Sequence, residues 1–436
     1  MRRWVMVAAL IGAGFSCLEP SLSPATPGGS ASYLTPEDGK HANAVARALD
    51  AWEALERWFG HVPGYPNIFS LDPGDPSGRA RPNFVWPQGQ VVHAALNLAK
   101  LSGDYSDFDR IAPTLSRYLL TNRGTTGFAP PVDPWTGSPL PVRWWDDNGV
   151  TALVLLQANA QRPQRRDAGY LEQVQILWPF FEAGQWPGGG QRENEGSGSH
   201  VVGVVATSSD DETAERLLMA TNPVDPQHHQ YLDFALANDA AIKALLRGPN
   251  GLYWDGFYPD IQLAGNKWCD GTLANGVCSG TWWACNAARM DLPPPATPPT
   301  PHICGWTFPH NQGLMIGSDV LLYRITGDRS YLDSATRTAD AALDYYTTDW
   351  LWKQGPWDNQ VYFTGLVALD HYAPNPRIRA ALDAYLERAW TEARDPETGL
   401  FNRGGIGTLG PDLDQSALVI MFTIQAWPEP DLPDLF

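Results

Sequence analysis

Apolar residues recur along this chain at spacings of three and four, and no long segment alternates between apolar and polar positions. That period belongs to the α-helix, where such positions share one face. Two kinds of helix follow. In the first, one face stays polar: Ile378, Ala381, Leu382, Tyr385, Leu386 and Ala389 form an apolar stripe, as do Tyr331, Leu332, Ala335, Ala339, Ala342, Leu343 and Tyr346. In the second, as in 314–325, 361–369 and 413–427, polar residues are scarce all round. A one-sided helix lies at the surface, whereas an apolar one is enclosed. Amphipathic helices are expected near 42–59, 107–121, 168–184, 230–247, 330–346 and 376–394. Apolar ones are expected near 84–101, 148–160, 213–221, 313–326, 360–372 and 413–427. The 213–221 segment is short, and Pro113 interrupts 107–121 because proline removes a helical hydrogen bond. Alternation of the two kinds predicts an all-α (α/α)6 toroid, six inner helices ringed by six outer ones.

Internal repetition agrees with this. Ser102-Gly103-Asp104-Tyr105-Ser106-Asp107-Phe108 is similar to Thr326-Gly327-Asp328-Arg329-Ser330-Tyr331-Leu332. In each, the glycine can stop an inner helix and the Asp or Ser can cap the next outer one. A second recurrent piece is Thr126-Gly127-Phe128, Asn250-Gly251-Leu252-Tyr253-Trp254 and Thr398-Gly399-Leu400-Phe401. Each reads as a turn and short extended stretch leading back to an inner helix, so these returns share one mouth of the ring.

The ends add a location. Arg2 and Arg3 precede a short apolar run, 4–15, as in an export signal spanning 1–17. Gly14-Phe15-Ser16-Cys17 resembles a loose lipobox, which makes Cys17 a lipidation candidate. Ser, Pro, Gly and Ala dominate 18–38, which reads as a flexible tether ahead of one catalytic domain, 39–436. The expected destination is export, either as an outer-membrane or cell-surface lipoprotein or as a secreted protein. Cys269, Cys278, Cys285 and Cys304 cluster in an insertion at about 263–304 and suggest two disulfides, with three pairings open. No C-x-x-C pair points to zinc. Neither metal nor other cofactor is expected, and the chain is expected to be a monomer.

A formal net charge of −18 argues against a nucleic-acid partner, which would need a basic surface. Nineteen Trp in 436 residues exceed what packing needs and suggest flat faces for sugar rings. The chemistry then narrows to Trp144-Trp145-Asp146-Asp147-Asn148-Gly149, at the start of an expected inner helix. Glycosidases use two carboxyl groups, one as acid and one as base or nucleophile, and a retaining enzyme needs them about 5 Å apart. Two adjacent acids also push one pKa up, giving one protonated and one ionised group. Ser208-Ser209-Asp210-Asp211-Glu212 lacks aromatic neighbours and reads instead as a helix cap.

The aromatic-Asp-Asp-Asn run before an apolar helix resembles the motif of glycoside hydrolase family 76. That family holds bacterial endo-α-1,6-mannanases and fungal mannan transglycosidases. His310-Asn311-Gln312-Gly313-Leu314-Met315-Ile316-Gly317 and Gly251-Leu252-Tyr253-Trp254-Asp255-Gly256 are similar to further family segments, in order, across about 42–427. The resemblance implies a retaining α-1,6-mannan hydrolase, with Asp146 as nucleophile and Asp147 as acid/base. It also implies that Asn148, Asn311 and Gln312 contact substrate. Trp145, Trp254 and Trp306 are candidates for sugar stacking, and Trp86 and Gln88 for the same mouth. The sequence departs from the family at His310, where Tyr is usual, at Phe363-Thr364-Gly365, and most of all over 185–229. Transglycosylation on the same fold and a non-catalytic glycan-binding lipoprotein are the alternatives.

Overall fold

A computed structural model describes residues 36–74, 81–129, 142–196, 201–258, 302–401 and 411–435, together with four short strands between 267 and 284. The described chain is mainly helical. In order, the helices are α1 (Pro36–Phe59), α2 (Val85–Ser102), α3 (Ser106–Ile111), α4 (Trp145–Gln161), α5 (Tyr170–Gly184), α6 (Val204–Ala220) and α7 (His228–Leu246). There follow α8 (Pro309–Thr326), α9 (Arg329–Tyr345), α10 (Thr348–Trp352), α11 (Pro356–Tyr372), α12 (Pro376–Arg388) and α13 (Pro411–Gln425). Helices α2, α4, α6, α8, α11 and α13 each pack on the next of the set, and α13 packs back on α2. Helices α3, α5, α7 and α9 each pack against the member before them, α1 packs on α13 and α2, and α12 on α11 and α13. The order of contacts is therefore cyclic.

The two glycines expected to stop helices do so. Gly103 (φ 78) and Gly327 (φ 72) take the left-handed conformation that glycine tolerates, ending α2 and α8. Asp104 and Asp328 then accept the backbone N–H of Ser106 and Ser330. Pro113 has the expected effect: α3 stops at Ile111 and a 3-10 turn continues over Ala112–Tyr118. Glycine also sets how closely the inner helices cross. A Cβ on Gly365 would lie 2.0 Å from the Gly313 carbonyl oxygen, so α8 and α11 touch backbone to backbone.

Hairpin returns recur as anticipated. Strands β1 (Leu119–Asn122) and β2 (Thr125–Phe128) pair antiparallel, and single bridges join Arg247 to Tyr253 and Arg394 to Phe401. Further strands are β3 (Gln191–Arg192), β4 (Val202–Gly203), β5 (Gly256–Phe257), β6 (Lys267–Cys269), β7 (Leu273–Ala274), β8 (Val277–Cys278), β9 (Trp282–Ala284) and β10 (Ile303–Cys304). One small sheet has the order β10-β5-β4-β3, while β6 pairs with β9 and β7 with β8.

A repeated peg locks extended segments to the starts of α2, α4, α6, α8, α11 and α13. Gln88, Asn148, Thr207, Gln312 and Asn359 each occupy the fourth position of their helix, and Gln415 the fifth of α13. All six are buried. Gln88 Oε1 accepts the Phe69 N–H, Asn148 Oδ1 that of Phe128, Thr207 Oγ1 that of Gln191, Gln312 Oε1 that of Tyr253, and Gln415 Oε1 that of Phe401. Asn359 donates to the Leu351 carbonyl. Each peg satisfies backbone groups that would otherwise be buried without a partner.

Helix α6 corrects two expectations. The apolar element expected at 213–221 is the C-terminal half of a longer helix, Val204–Ala220. Asp210 and Asp211 sit inside it and do not cap it; they are buried with Glu212 and Glu215. Burial pushes all four carboxyl groups up, Glu212 to about 8. Gln191 Nε2 donates to Asp210, Asn238 Nδ2 to Asp211 and Ser318 Oγ to Glu215.

Candidate active site

The first two turns of α2, α4, α6, α8 and α11 meet around one cavity. They line a cavity of about 120 Å³ with Trp86 from α2, Asp146, Asp147 and Val150 from α4, Val205 from α6, His310 and Leu314 from α8, and Trp357 and Val361 from α11. Helix N-termini carry partial positive charge, so their convergence favours an anion here.

The aspartate pair is held from both sides. Trp145 stacks on Phe180 (ring centroids 4.9 Å apart, 9° between planes), and its Nε1 donates to the Phe180 carbonyl at 2.8 Å. Its backbone N–H reaches the Glu193 carbonyl at 2.9 Å. On the other side Asn148 is pegged to Phe128. Next in line, a Cβ on Gly149 would come within 2.6 Å of Asp210 Oδ1, so glycine is needed for α4 to approach α6. Asp146 and Asp147 are left to face the cavity.

Their environments differ. Burial raises Asp146 to about 6, while the Asp147 backbone N–H, bonded to Asp146 Oδ1 at 2.8 Å, and the nearby His310 oppose the rise. Asp147 is raised well above the usual carboxylate range by burial, and further by the charge of Asp146. Asp146 is thus the first of the two to ionise. Such a split separates acid from base within one pair.

A second layer of acids surrounds the pair. Burial, then Asp255, then Asp146 raise Glu193 to about 8. Asp255 is also raised by burial, against the hydrogen bond that it accepts from Asn311 at 3.2 Å. His310 bonds through Nδ1 to Asp358 and stacks on Phe308 and Trp357. Trp357 meets Trp86 edge to face at 4.7 Å, so two indoles form one wall.

Of the sequence candidates, Asp146, Asp147 and Trp86 line the cavity. Others are engaged within the fold. Gln88 bonds to Phe69, Asn67 and Thr114, and Gln312 to Tyr253 and Phe308. Asn148 binds the Phe128 and Trp144 carbonyls, and Trp145 is committed to Phe180. Trp254 is buried in a cluster with Leu246, Ile303 and Met315. Trp306 is half-buried, edge-on to Phe308, and Asn311 is buried against Asp255. Sequence reasoning left out Trp357, Asp358 and Glu193, and treated His310 only as part of a motif. Cys304 enters a disulfide. Cys17 and Cys285 lie outside the described residues, as do the side chains of Cys269 and Cys278. Among the described residues no group of three or more His, Cys, Asp or Glu has the arrangement of a metal site.

The fold defines a class: an all-α domain whose inner helices start at a mouth carrying an aspartate pair and aromatic walls. Neither a family model nor a curated protein matches the chain. Solved structures do, among them family 76 glycoside hydrolases. One, from a bovine Bacteroides thetaiotaomicron strain, has 20% identity and a TM-score of 0.66, covering 88% of this chain and 77% of its own. Another is an inactive variant of an α-1,6-mannanase of Salegentibacter sp., with two consecutive aspartates changed to asparagine and α-1,6-mannotriose bound. It has 15% identity and a TM-score of 0.61, covering 88% and 99%. A D-mannose isomerase also matches, at 13% identity and a TM-score of 0.57, covering 91% and 99%. At these identities the likeness establishes a shared fold.

Proposed function

We propose that this protein is a retaining glycoside hydrolase of family 76 type that cleaves α-1,6-mannosidic bonds inside mannan. Its single catalytic domain would be an (α/α)6 toroid, with α2, α4, α6, α8, α11 and α13 as the inner ring. The observation that carries the reading is Asp146 and Asp147 side by side in an aromatic-walled cavity, held at unequal protonation. The mannanase neighbour whose paired aspartates were replaced supports the choice of these two.

In the first step the Asp146 carboxylate attacks the anomeric carbon as Asp147 gives its proton to the departing glycosidic oxygen. A glycosyl-enzyme ester results. In the second step Asp147, now a carboxylate, takes a proton from water, which attacks the same carbon and frees Asp146. Two inversions return the starting anomer. An acceptor sugar in place of that water would give transglycosylation. The isomerase on the same fold is the other enzymatic reading; the neighbouring carboxylates favour glycosyl transfer over it. Export, a lipid anchor at Cys17 and action on an external polysaccharide complete the proposal.

Incubation of the purified protein with linear α-1,6-mannan tests it. Oligosaccharides of intermediate size, released first as the α-anomer by NMR, are expected. An Asp147→Asn variant should bind mannooligosaccharide without turnover. Binding without turnover in the wild type as well would make the protein a glycan receptor instead.

A further inference from the structure

Of the nine described residues that line the cavity, His310 is the one ionisable group besides the two aspartates. Its ring is fixed in place. It stacks on Phe308 with centroids 5.1 Å apart and 13° between planes, and on Trp357 at 5.1 Å and 29°. Its Nδ1 is bonded to Asp358, a buried carboxylate in the first turn of α11. The pair therefore ties α8 to α11 at the mouth. That bond occupies Nδ1 and leaves Nε2 for a second hydrogen bond, as acceptor in the neutral ring and as donor in the imidazolium. The other walls are Trp86, Trp357, Val150, Val205, Leu314 and Val361, which offer a sugar chiefly apolar contact.

We propose that His310 is a specificity-determining residue that hydrogen-bonds through Nε2 to a hydroxyl of the sugar beside the cleaved bond, and that Asp358 is its positioning residue. The proposal rests on the glycosidase reading above. A sugar ring carries several hydroxyls into a cavity whose aspartates are committed to the reacting centre. A rigid hydrogen-bonding group in the wall then distinguishes sugars by whether a hydroxyl meets it, because a wrong sugar leaves Nε2 buried and unpaired. The aromatic stack and the carboxylate limit the ring's freedom before substrate arrives, as preorganised recognition requires.

Calorimetric titration with α-1,6-mannotriose, in an Asp147→Asn background, tests this. His310→Phe keeps the aromatic stack and removes the hydrogen-bonding nitrogen; His310→Phe/Asp358→Leu also removes the carboxylate left behind. Both should bind about 10-fold more weakly, the size of one hydrogen bond. His310→Gln, whose amide can donate or accept, should recover part of the loss. In the otherwise wild-type enzyme Asp358→Asn, which can reverse the tautomer, should raise KM more than it lowers kcat while the melting temperature holds. Unchanged affinity in the folded double variant overturns the assignment of His310 alone. A wild-type protein that neither binds nor cleaves mannooligosaccharide overturns the glycosidase reading and this one with it.

Discussion

Gln312 separates a structural amide from a sugar-binding one. In the structure Oε1 accepts the Tyr253 N–H at 2.8 Å, and Nε2 donates to the Tyr253 and Phe308 carbonyls at 3.0 and 3.1 Å. Gln312→Leu keeps the approximate volume and removes all three bonds. Two backbone groups of the fully buried Tyr253 lose this partner. At about 1–3 kcal/mol for each buried group left unsatisfied, the expected loss is about 3 kcal/mol. Unfolding entropy of about 2.1 cal/mol/K per residue gives ~0.8 kcal/mol/K for roughly 400 residues, so the melting temperature should fall by roughly 4 °C. Gln88→Leu, at the same helical position, should behave alike. Scanning calorimetry measures the shift, and KM on α-1,6-mannooligosaccharides, taken well below the transition, should stay within about twofold. An unchanged melting temperature with a tenfold higher KM would refute the peg and return Gln312 to the substrate-binding set.

On the proposed mechanism Asp146 attacks as a carboxylate, so kcat/KM should rise with pH through about 6 and fall again where Asp147 loses its proton. Asp147→Asn should abolish the alkaline limb along with most of the rate, and a profile flat from about pH 5 to 7 would contradict the assignment. Gly365→Ala should cost more than ~3 kcal/mol, read as the urea midpoint, because the new Cβ would lie 2.0 Å from a carbonyl oxygen that cannot swing aside. Stability should also fall as pH rises. Burial raises Glu193 and Glu212 from 4.5 to about 8, so the folded state keeps protons that the unfolded chain releases. Their stabilising contribution is present in full below about 4.5 and is lost progressively toward about 8. Glu212→Gln should flatten the curve of melting temperature against pH, and a melting temperature that rises across this range would reverse the argument.

Helical periodicity was a good guide wherever burial and apolar character coincide. Helices α2, α8, α11 and α13 begin and end within a few residues of the expected positions. It failed at α6, whose Asp210, Asp211 and Glu212 face the interior. Hydropathy assigns carboxyl groups to water, whereas these are enclosed with their pKa values raised, so the helix was cut short and its acids taken for a cap. That the aspartate pair would line a cavity was readable because its sequence neighbours are aromatic. The bond from His310 to Asp358 joins residues 48 apart and left no local trace. The pegs did leave one: an amide or hydroxyl recurs three residues into successive inner helices. Asn148 and Gln312 were assigned to substrate because a motif records which residue is retained, not which way it faces.

The packing of α13 on both α1 and α2 has a consequence for how the chain matures. Gln415 Nε2 donates to the Ala51 carbonyl, across 364 positions of sequence. During synthesis every earlier helix can meet its neighbour as it emerges, but the bare flanks of α2 and α11 must wait for the last helix. A chain cut before Pro411 would leave bare the flanks of α1, α2 and α11 that α13 covers, so the cycle of helix contacts closes only once the α13 segment is present.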